Sequence, residues 1–211
     1  MIGFYNYSVI LTYLGLTSAV IGITQVISHQ HATAIAFLCL LVSGICDLFD
    51  GRIARRKKDR TEHEKVFGIQ IDSLCDLVCF GVFPAVISYS YGFNHGIGIV
   101  SAVMIVLAAV IRLGYFNVME EERQRSTTEC RKAYVGLPVT SAAAILPLLY
   151  VGRLNIPKPV FPYIMQGFVI LLALLFVLKI NVKKPNIKGI IILFTLGVII
   201  FLGYLKMSHI I

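Results

Sequence analysis

Charge is scarce in this chain. Asp, Glu, Lys and Arg make up 14% of its 211 residues, against about 25% in a soluble domain. That shortage excludes a water-soluble globule. Acid is scarcer than base, with 11 acidic and 19 basic residues and a net charge of +8. A secreted disulfide pattern is absent too: Cys39, Cys46, Cys75, Cys79 and Cys130 fall within or beside apolar runs. Cys75 and Cys79, four apart, share a helix face and read as small, polarizable packing residues rather than half of a zinc site. No soluble segment is large enough for a basic, aromatic-interleaved domain, so nucleic acid is not an expected partner despite the positive charge. Neither an internal repeat nor a low-complexity segment is visible. A single domain over residues 1–211 is expected.

Long apolar runs fill the space that charge leaves. The chain is 57% hydrophobic with a mean hydropathy of +0.83. A helix that crosses a bilayer needs about 20 mostly apolar residues, and the runs lack the alternation of a membrane β-barrel. The fold class is all-α, a polytopic transmembrane helical bundle. Seven spans are predicted, at about 7–28, 32–50, 69–91, 96–118, 135–152, 160–179 and 187–206. The first lacks the basic leader of a signal peptide and reads as a retained helix. Small residues within the spans, such as Gly15, Gly22, Gly44 and Ala142 to Ala144, allow close helix approach in lipid.

The loops divide into two sets. Segments 52–67, 119–134 and 179–188 hold fifteen of the Lys and Arg residues; the turns near His29–His31, Tyr91–Gly96 and Gly152–Pro159 hold Arg153 and Lys158. The positive-inside rule makes the first set cytoplasmic, which places the active face inside the cell membrane. His29, His31 and His95 then lie on the far side.

Against this scarcity of acid, four aspartates stand together. Asp47 and Asp50 end the second span; Asp72 and Asp76 begin the third. Spacings of three and four put each pair on one helix face, and antiparallel packing of the two helices would bring the faces together. Placing Asp at a helix centre costs about 2.5–3.5 kcal/mol on insertion scales, and like charges add to the cost. Helix capping or pairing with nearby Arg and Lys explains single aspartates of this kind, but hardly four. Two divalent cations would balance the charge, and oxygen ligands suit Mg²⁺ or Mn²⁺. Paired metals clamp phosphoryl groups in transfer reactions. A cation transporter would place its acids near the midplane and on paired repeats, and neither is seen.

The pattern Asp47-x-x-Asp50-Gly51-x-x-Ala54-Arg55, followed by Gly68-x-x-x-Asp72-x-x-x-Asp76, resembles the signature of the CDP-alcohol phosphotransferase family. One feature departs from it: twelve residues separate Arg55 from Gly68 where eight are usual, and the insert reads as a lengthened cytoplasmic loop. DLVCFGVFPA (76–85), RLGYFN (112–117) and GLP (136–138) are similar to the phosphatidylserine synthase branch, with Cys79 for a Ser and Tyr115 for an Arg. The usual Asn-x-x-Thr of the first span is reduced to Thr12. The likeness covers about residues 8–150.

The resemblance implies a six-helix core with one or two extra helices, often as a homodimer among membrane lipids. It also implies transfer of the phosphatidyl group from CDP-diacylglycerol to L-serine, giving phosphatidylserine and CMP. The alternatives are another acceptor, glycerol phosphate or an inositol phosphate, or an ether-lipid donor. By the same likeness Asp47, Asp50 and Asp72 hold one metal. Asp72 and Asp76, with Asp47 or Asp50, hold a second. Asp76 is the candidate general base. Gly51, Ala54, Arg55 and Gly68 are the candidate nucleotide and phosphate contacts.

Arg112, Asn117 and Arg131 are candidates for holding the acceptor or the lipid phosphate; snorkelling, helix capping and topology are their ordinary explanations. The run Arg55 to Lys58 suits anionic headgroups or orientation alone. His63 is expected in a solvated loop. Tyr5, Tyr7 and Tyr163 suit interfacial anchoring, and Pro84, Pro138 and Pro147 are placed to kink helices.

Overall fold

The computed structural model describes residues 9–29, 32–56, 61–91, 96–126, 133–179 and 181–183, with 195 and 197; at 52–56, 123–126, 133–135 and 181–183 only the backbone is described. Its helices are α1 (Ile10–His29), α2 (Ala34–Arg56), α3 (Glu62–Asp76), α4 (Phe83–Tyr91), α5 (Gly96–Ser126), α6 (Ala142–Gly152) and α7 (Phe161–Val177). A π-helical segment, Leu77–Val82, joins α3 to α4 without a break. Ile10–His29, Ala34–Gly51, Glu62–Tyr91 and Gly96–Glu122 are each long and apolar enough to cross a membrane; Val139–Asn155 and Phe161–Val177 are shorter apolar stretches. The helical bundle is as expected, with helices of crossing length at the first four predicted spans and shorter apolar helices at the fifth and sixth. The seventh, 187–206, lies outside the described residues.

The buried face of α1 is Thr12, Gly15, Ala19, Gly22 and Val26. These positions recur every three to four residues, so they form one stripe, and all but Val26 are small. The stripe lets α1 lie close on α2. Ser43 Oγ donates to Gly15 O across the interface at 2.8 Å, and Ser18 Oγ donates to Cys39 O at 3.0 Å. A Cβ built on Gly22 would fall 2.2 Å from Phe83 Cζ and 2.9 Å from Cys39 Cβ. In lipid such packing and interhelical hydrogen bonds replace the hydrophobic effect as the force between helices. The core that α1 and α2 share with α4 to α7 includes Phe37, Leu40, Phe80, Phe83, Leu146, Tyr150, Met165 and Phe176. Phe37 and Tyr150 stack at 4.2 Å, and Arg153 caps the Tyr150 ring at 4.1 Å. Exposed apolar side chains, such as Val103, Leu107 and Val110 on α5, face outward.

Three helices run further than predicted, α5 among them, which continues to Ser126 where a loop was expected from 119. α2 continues to Arg56, and α3 begins at Glu62, so most of the polar insert is helix rather than loop. The reason is local. Thr61 and Glu64 form a capping box, with Glu64 N donating to Thr61 Oγ1 at 3.2 Å and Thr61 N donating to Glu64 Oε2 at 2.9 Å. Glu62 and Glu64 sit in the first turn, where the helix dipole favours acids. His63 is accordingly an exposed helical residue, not a loop residue.

Prolines act in three different ways. Pro84 is buried in the first turn of α4, directly after the π segment Leu77–Val82. Pro147 lies inside α6. Pro138, with ψ of 142°, precedes the 3₁₀ turn Val139–Ser141 and starts a helix instead of kinking one. A short antiparallel ladder was not predicted: β1 (Ala133–Val135) pairs with β2 (Asn181–Lys183), Tyr134 opposite Val182. It joins segments 119–134 and 179–188, which charge had assigned to one side of the membrane.

The close approach at Gly22 yields a stability prediction. Gly22→Ala should destabilise the bundle by about 1–3 kcal/mol through overpacking, read as a lower thermal midpoint in detergent. Gly114→Ala, whose added methyl meets nothing within 4 Å, should leave the midpoint unchanged.

Candidate metal centre

The C-terminal half of α2 carries Asp47 and Asp50 and the end of α3 carries Asp72 and Asp76, and the structure brings three of the four together. Asp47, Asp50 and Asp72 each offer a carboxylate oxygen within 4.8 Å of the other two. Asp76 follows Asp72 by four residues, one turn further along the same face of α3. Asp50 is only 6% exposed. The π segment starts directly after Asp76, so the change of helical pitch falls at the site and not within the preceding Asp72–Asp76 turn.

Two hydroxyls from outside this helix pair meet the cluster. Thr12 Oγ1 on α1 donates to Asp50 Oδ2 at 3.0 Å. Thr140 Oγ1, in the turn before α6, donates to Asp47 Oδ2 at 2.9 Å. Thr12 had been noticed as the remnant of a motif; Thr140 had not. Its only signal was a hydroxyl two residues past Pro138, at the head of an apolar run. Ser73 lies between Asp72 and Asp76 on the chain and donates to Asn117 Oδ1 at 2.7 Å, tying α3 to α5. Asn117 thus holds the helix that carries two aspartates. Arg112, 8% exposed, donates from Nη2 to Gly136 O at 3.3 Å.

Electrostatics decides what such a cluster can do. Two like charges 4.8 Å apart repel by about 3.5 kcal/mol at an effective dielectric constant of about 20. Two hydroxyl donors do not offset that for four carboxylates. Asp72 Oδ1 is moreover buried without a hydrogen-bond partner, a costly state unless something else satisfies it. Clustered hard oxygens with an orphaned carboxylate atom fit a divalent cation. The remaining expectations distribute as follows. Gly51 and Gly68 are half-buried on α2 and α3. Ala54 and Arg55 are in the last turn of α2, but their side chains, like Arg131, Tyr5, Tyr7, His31 and His95, lie outside the described residues. Tyr163 is exposed near the start of α7. His29 ends α1, remote from the cluster at the other end of the helix, and Cys39, Cys46, Cys75 and Cys79 are free thiols.

A helical membrane bundle with a cation-ready carboxylate cluster at one end is the class that fold and site define. The chain belongs to the CDP-alcohol phosphatidyltransferase family, whose family model matches residues 5–201. The family's description gives the donor class, a CDP-alcohol, and the reaction class, phosphatidyl transfer. Among curated proteins, the chain is 33% identical over 192 residues to a CDP-diacylglycerol–serine O-phosphatidyltransferase of Helicobacter pylori (strain J99), covering 88% of this chain and 74% of that protein. It is 35% identical over 129 residues to the protein of the same name from Saccharomyces cerevisiae, covering 57% and 45%. An archaetidylserine synthase of Methanothermobacter thermautotrophicus matches at 31% over 142 residues, covering 67% and 56%.

A cation-ready cluster should respond to metal directly. Mn²⁺ or Mg²⁺ should raise the thermal midpoint, by about 2.7 kcal/mol of stabilisation at one hundred times the dissociation constant, and EDTA should reverse the gain. In Asp50→Asn/Asp72→Asn the response should vanish while the metal-free midpoint rises, because the repulsion is relieved. An unchanged metal response in that variant would place the cation elsewhere.

Proposed function

We propose that this protein transfers the phosphatidyl group of CDP-diacylglycerol to L-serine, releasing CMP. The observation that carries the proposal is the convergence of Asp47, Asp50 and Asp72, with Asp76 one turn beyond Asp72 on α3 and the family's spacing across all four. The Helicobacter and yeast relatives, both serine O-phosphatidyltransferases by name, suggest the acceptor. Asp47, Asp50, Asp72 and Asp76 would hold two divalent cations, Mg²⁺ or Mn²⁺. Bound there, the cations would supply charge neutralisation to the diphosphate and to CMP as it departs.

The chain's own residues do the rest. Asp76 takes the proton of the serine hydroxyl. The hydroxyl oxygen bonds to the phosphorus that bears the diacylglycerol, and the bond from that phosphorus to the bridging oxygen breaks. CMP leaves with that electron pair. A base within an acidic cluster works by position more than by basicity. Gly51 and Gly68 leave room against α2 and α3 for cytidine, with Ala54 beside them, and Arg55 pairs with a phosphate. Arg112 would hold a carboxylate or lipid phosphate with its guanidinium, with Asn117 Nδ2 and Arg131 as further contacts. The whole chain would act as one domain, as a homodimer in the cell membrane, with the aspartates facing the cytoplasm as the positive-inside rule requires. The archaetidylserine named for one relative keeps an ether-lipid donor as the alternative, and glycerol phosphate or an inositol phosphate remain alternative acceptors.

The test is CMP release from CDP-diacylglycerol by purified protein with Mn²⁺ and, in parallel, labelled serine, glycerol 3-phosphate or inositol phosphate. Label should enter lipid from serine alone; incorporation from a phosphorylated acceptor instead would overturn the assignment. Asp76→Asn should lower turnover by about 10²-fold or more, the usual contribution of a positioned base, while CDP-diacylglycerol binding stays within severalfold.

A further inference from the structure

Asp50 receives its hydroxyl from α1, the helix packed closest to α2. Asp47 receives its own from a residue 93 positions further along the chain, in a segment fixed at several points. Gly136 has φ of +81°, and a Cβ there would lie 3.1 Å from Leu178 O and 3.3 Å from Phe176 O. Arg112 Nη2 holds Gly136 O. Leu137 N donates to Leu175 O at 3.4 Å, and Ser141 N donates to Pro138 O at 3.1 Å. Ser141 Oγ donates to the same carbonyl at 2.7 Å. Pro138 has a ring-locked φ. The β1–β2 ladder ends immediately before the segment and ties it to the chain beyond α7. Residues 136–140 therefore form a short brace between α5, the end of α7 and the cluster. Its tip is the Thr140 hydroxyl.

We propose that Thr140 is a positioning residue for the metal cluster, holding the Asp47 carboxylate in its ligating orientation from a brace anchored on α5 and α7. The inference rests on the metal reading given above. Asp47 Oδ2 is held by Thr140 Oγ1 at 2.9 Å, and Asp76 lies on the facing helix. With the threonine hydroxyl removed, the carboxylate is left to turn onto Asp76, and the two α2 aspartates no longer present their oxygens in register with Asp72. Groups that orient a ligand in this way typically contribute 10–100-fold to metal affinity. A purely structural role is the alternative: the threonine methyl and backbone would then matter and the hydroxyl would not.

The test uses the full chain purified in detergent, without lipid substrate, and reads Mn²⁺ uptake from the loss of the free-ion electron paramagnetic resonance signal. Thr140→Val should weaken Mn²⁺ binding by about tenfold or more, with the metal-free thermal midpoint showing that the bundle remains folded. Thr140→Ala should weaken it equally, which covers the case of a poorly accommodated valine. Thr140→Ser, which keeps the hydroxyl, should stay within about twofold of the parent. Parent-like binding in the valine and alanine variants would overturn the proposal, as would a serine variant as weak as valine. Absence of Mn²⁺ uptake by the parent protein would overturn the metal reading itself. Loss in Asp47→Asn with parent-like Thr140→Val would leave the metal reading intact and remove only the role of Thr140.

Discussion

Four carboxylates gathered near the end of a membrane bundle repel one another, and the surrounding helices must hold them in place against that repulsion. Neighbouring charges 4.8 Å apart oppose each other by several kcal/mol even at an effective dielectric constant of about 20. The net stability of a whole domain is about 5–15 kcal/mol. The cluster is therefore tolerable only where packing elsewhere fixes the backbone and where a countercharge can enter.

The packing answers that demand in two ways. Along α1, small residues at Gly15, Ala19 and Gly22 bring its backbone against α2, and the same stripe delivers Thr12 to Asp50. A larger residue on the stripe would move the hydroxyl as well as the helix. On the other flank, Ser73 ties α3 to Asn117 of α5, and Thr140 reaches Asp47 from the turn before α6. Three separate elements thus grip the two helices that carry the acids. Each grip is a side-chain hydrogen bond; the two to carboxylates contribute about 1.5–3 kcal/mol apiece and the neutral Ser73–Asn117 bond about 0.5–1.5 kcal/mol. The two threonine bonds orient Asp47 and Asp50, and a divalent cation among the carboxylates would supply countercharge.

What was legible in the sequence follows from this division. Helix spans and the acidic pairs depend on local composition and on three- and four-residue spacings, so spans at about 32–50, 69–91 and 96–118 could be placed and the four aspartates grouped in advance, while the polar ends of those helices could not. Capping chemistry was equally local but was overlooked, and Thr61 with Glu64 turned an expected loop into the first turn of α3. The brace was not legible. It depends on a contact between residues 93 apart, on a positive φ at Gly136 and on a three-residue ladder between distant loops. No periodicity announces any of these. Asn117 was singled out for charge chemistry and proves to secure α3, because a carboxamide beside a serine hydroxyl bonds to it before any ligand arrives.

Reaction at such a site requires a lipid-borne diphosphate and a water-borne alcohol to meet at one membrane face. The aspartates, Arg112, the brace and the β1–β2 ladder all gather at the same end of the bundle, while the stacked Phe37, Tyr150 and Arg153 lie away from it along α2 and α6. The central claim is that the four aspartates form one centre for two neighbouring cations. Low-temperature electron paramagnetic resonance of the purified chain loaded with Mn²⁺ tests it most directly. Two Mn²⁺ per chain with a spin-coupled spectrum is the expected result, whereas a single, isolated six-line Mn²⁺ signal or no bound metal would contradict it.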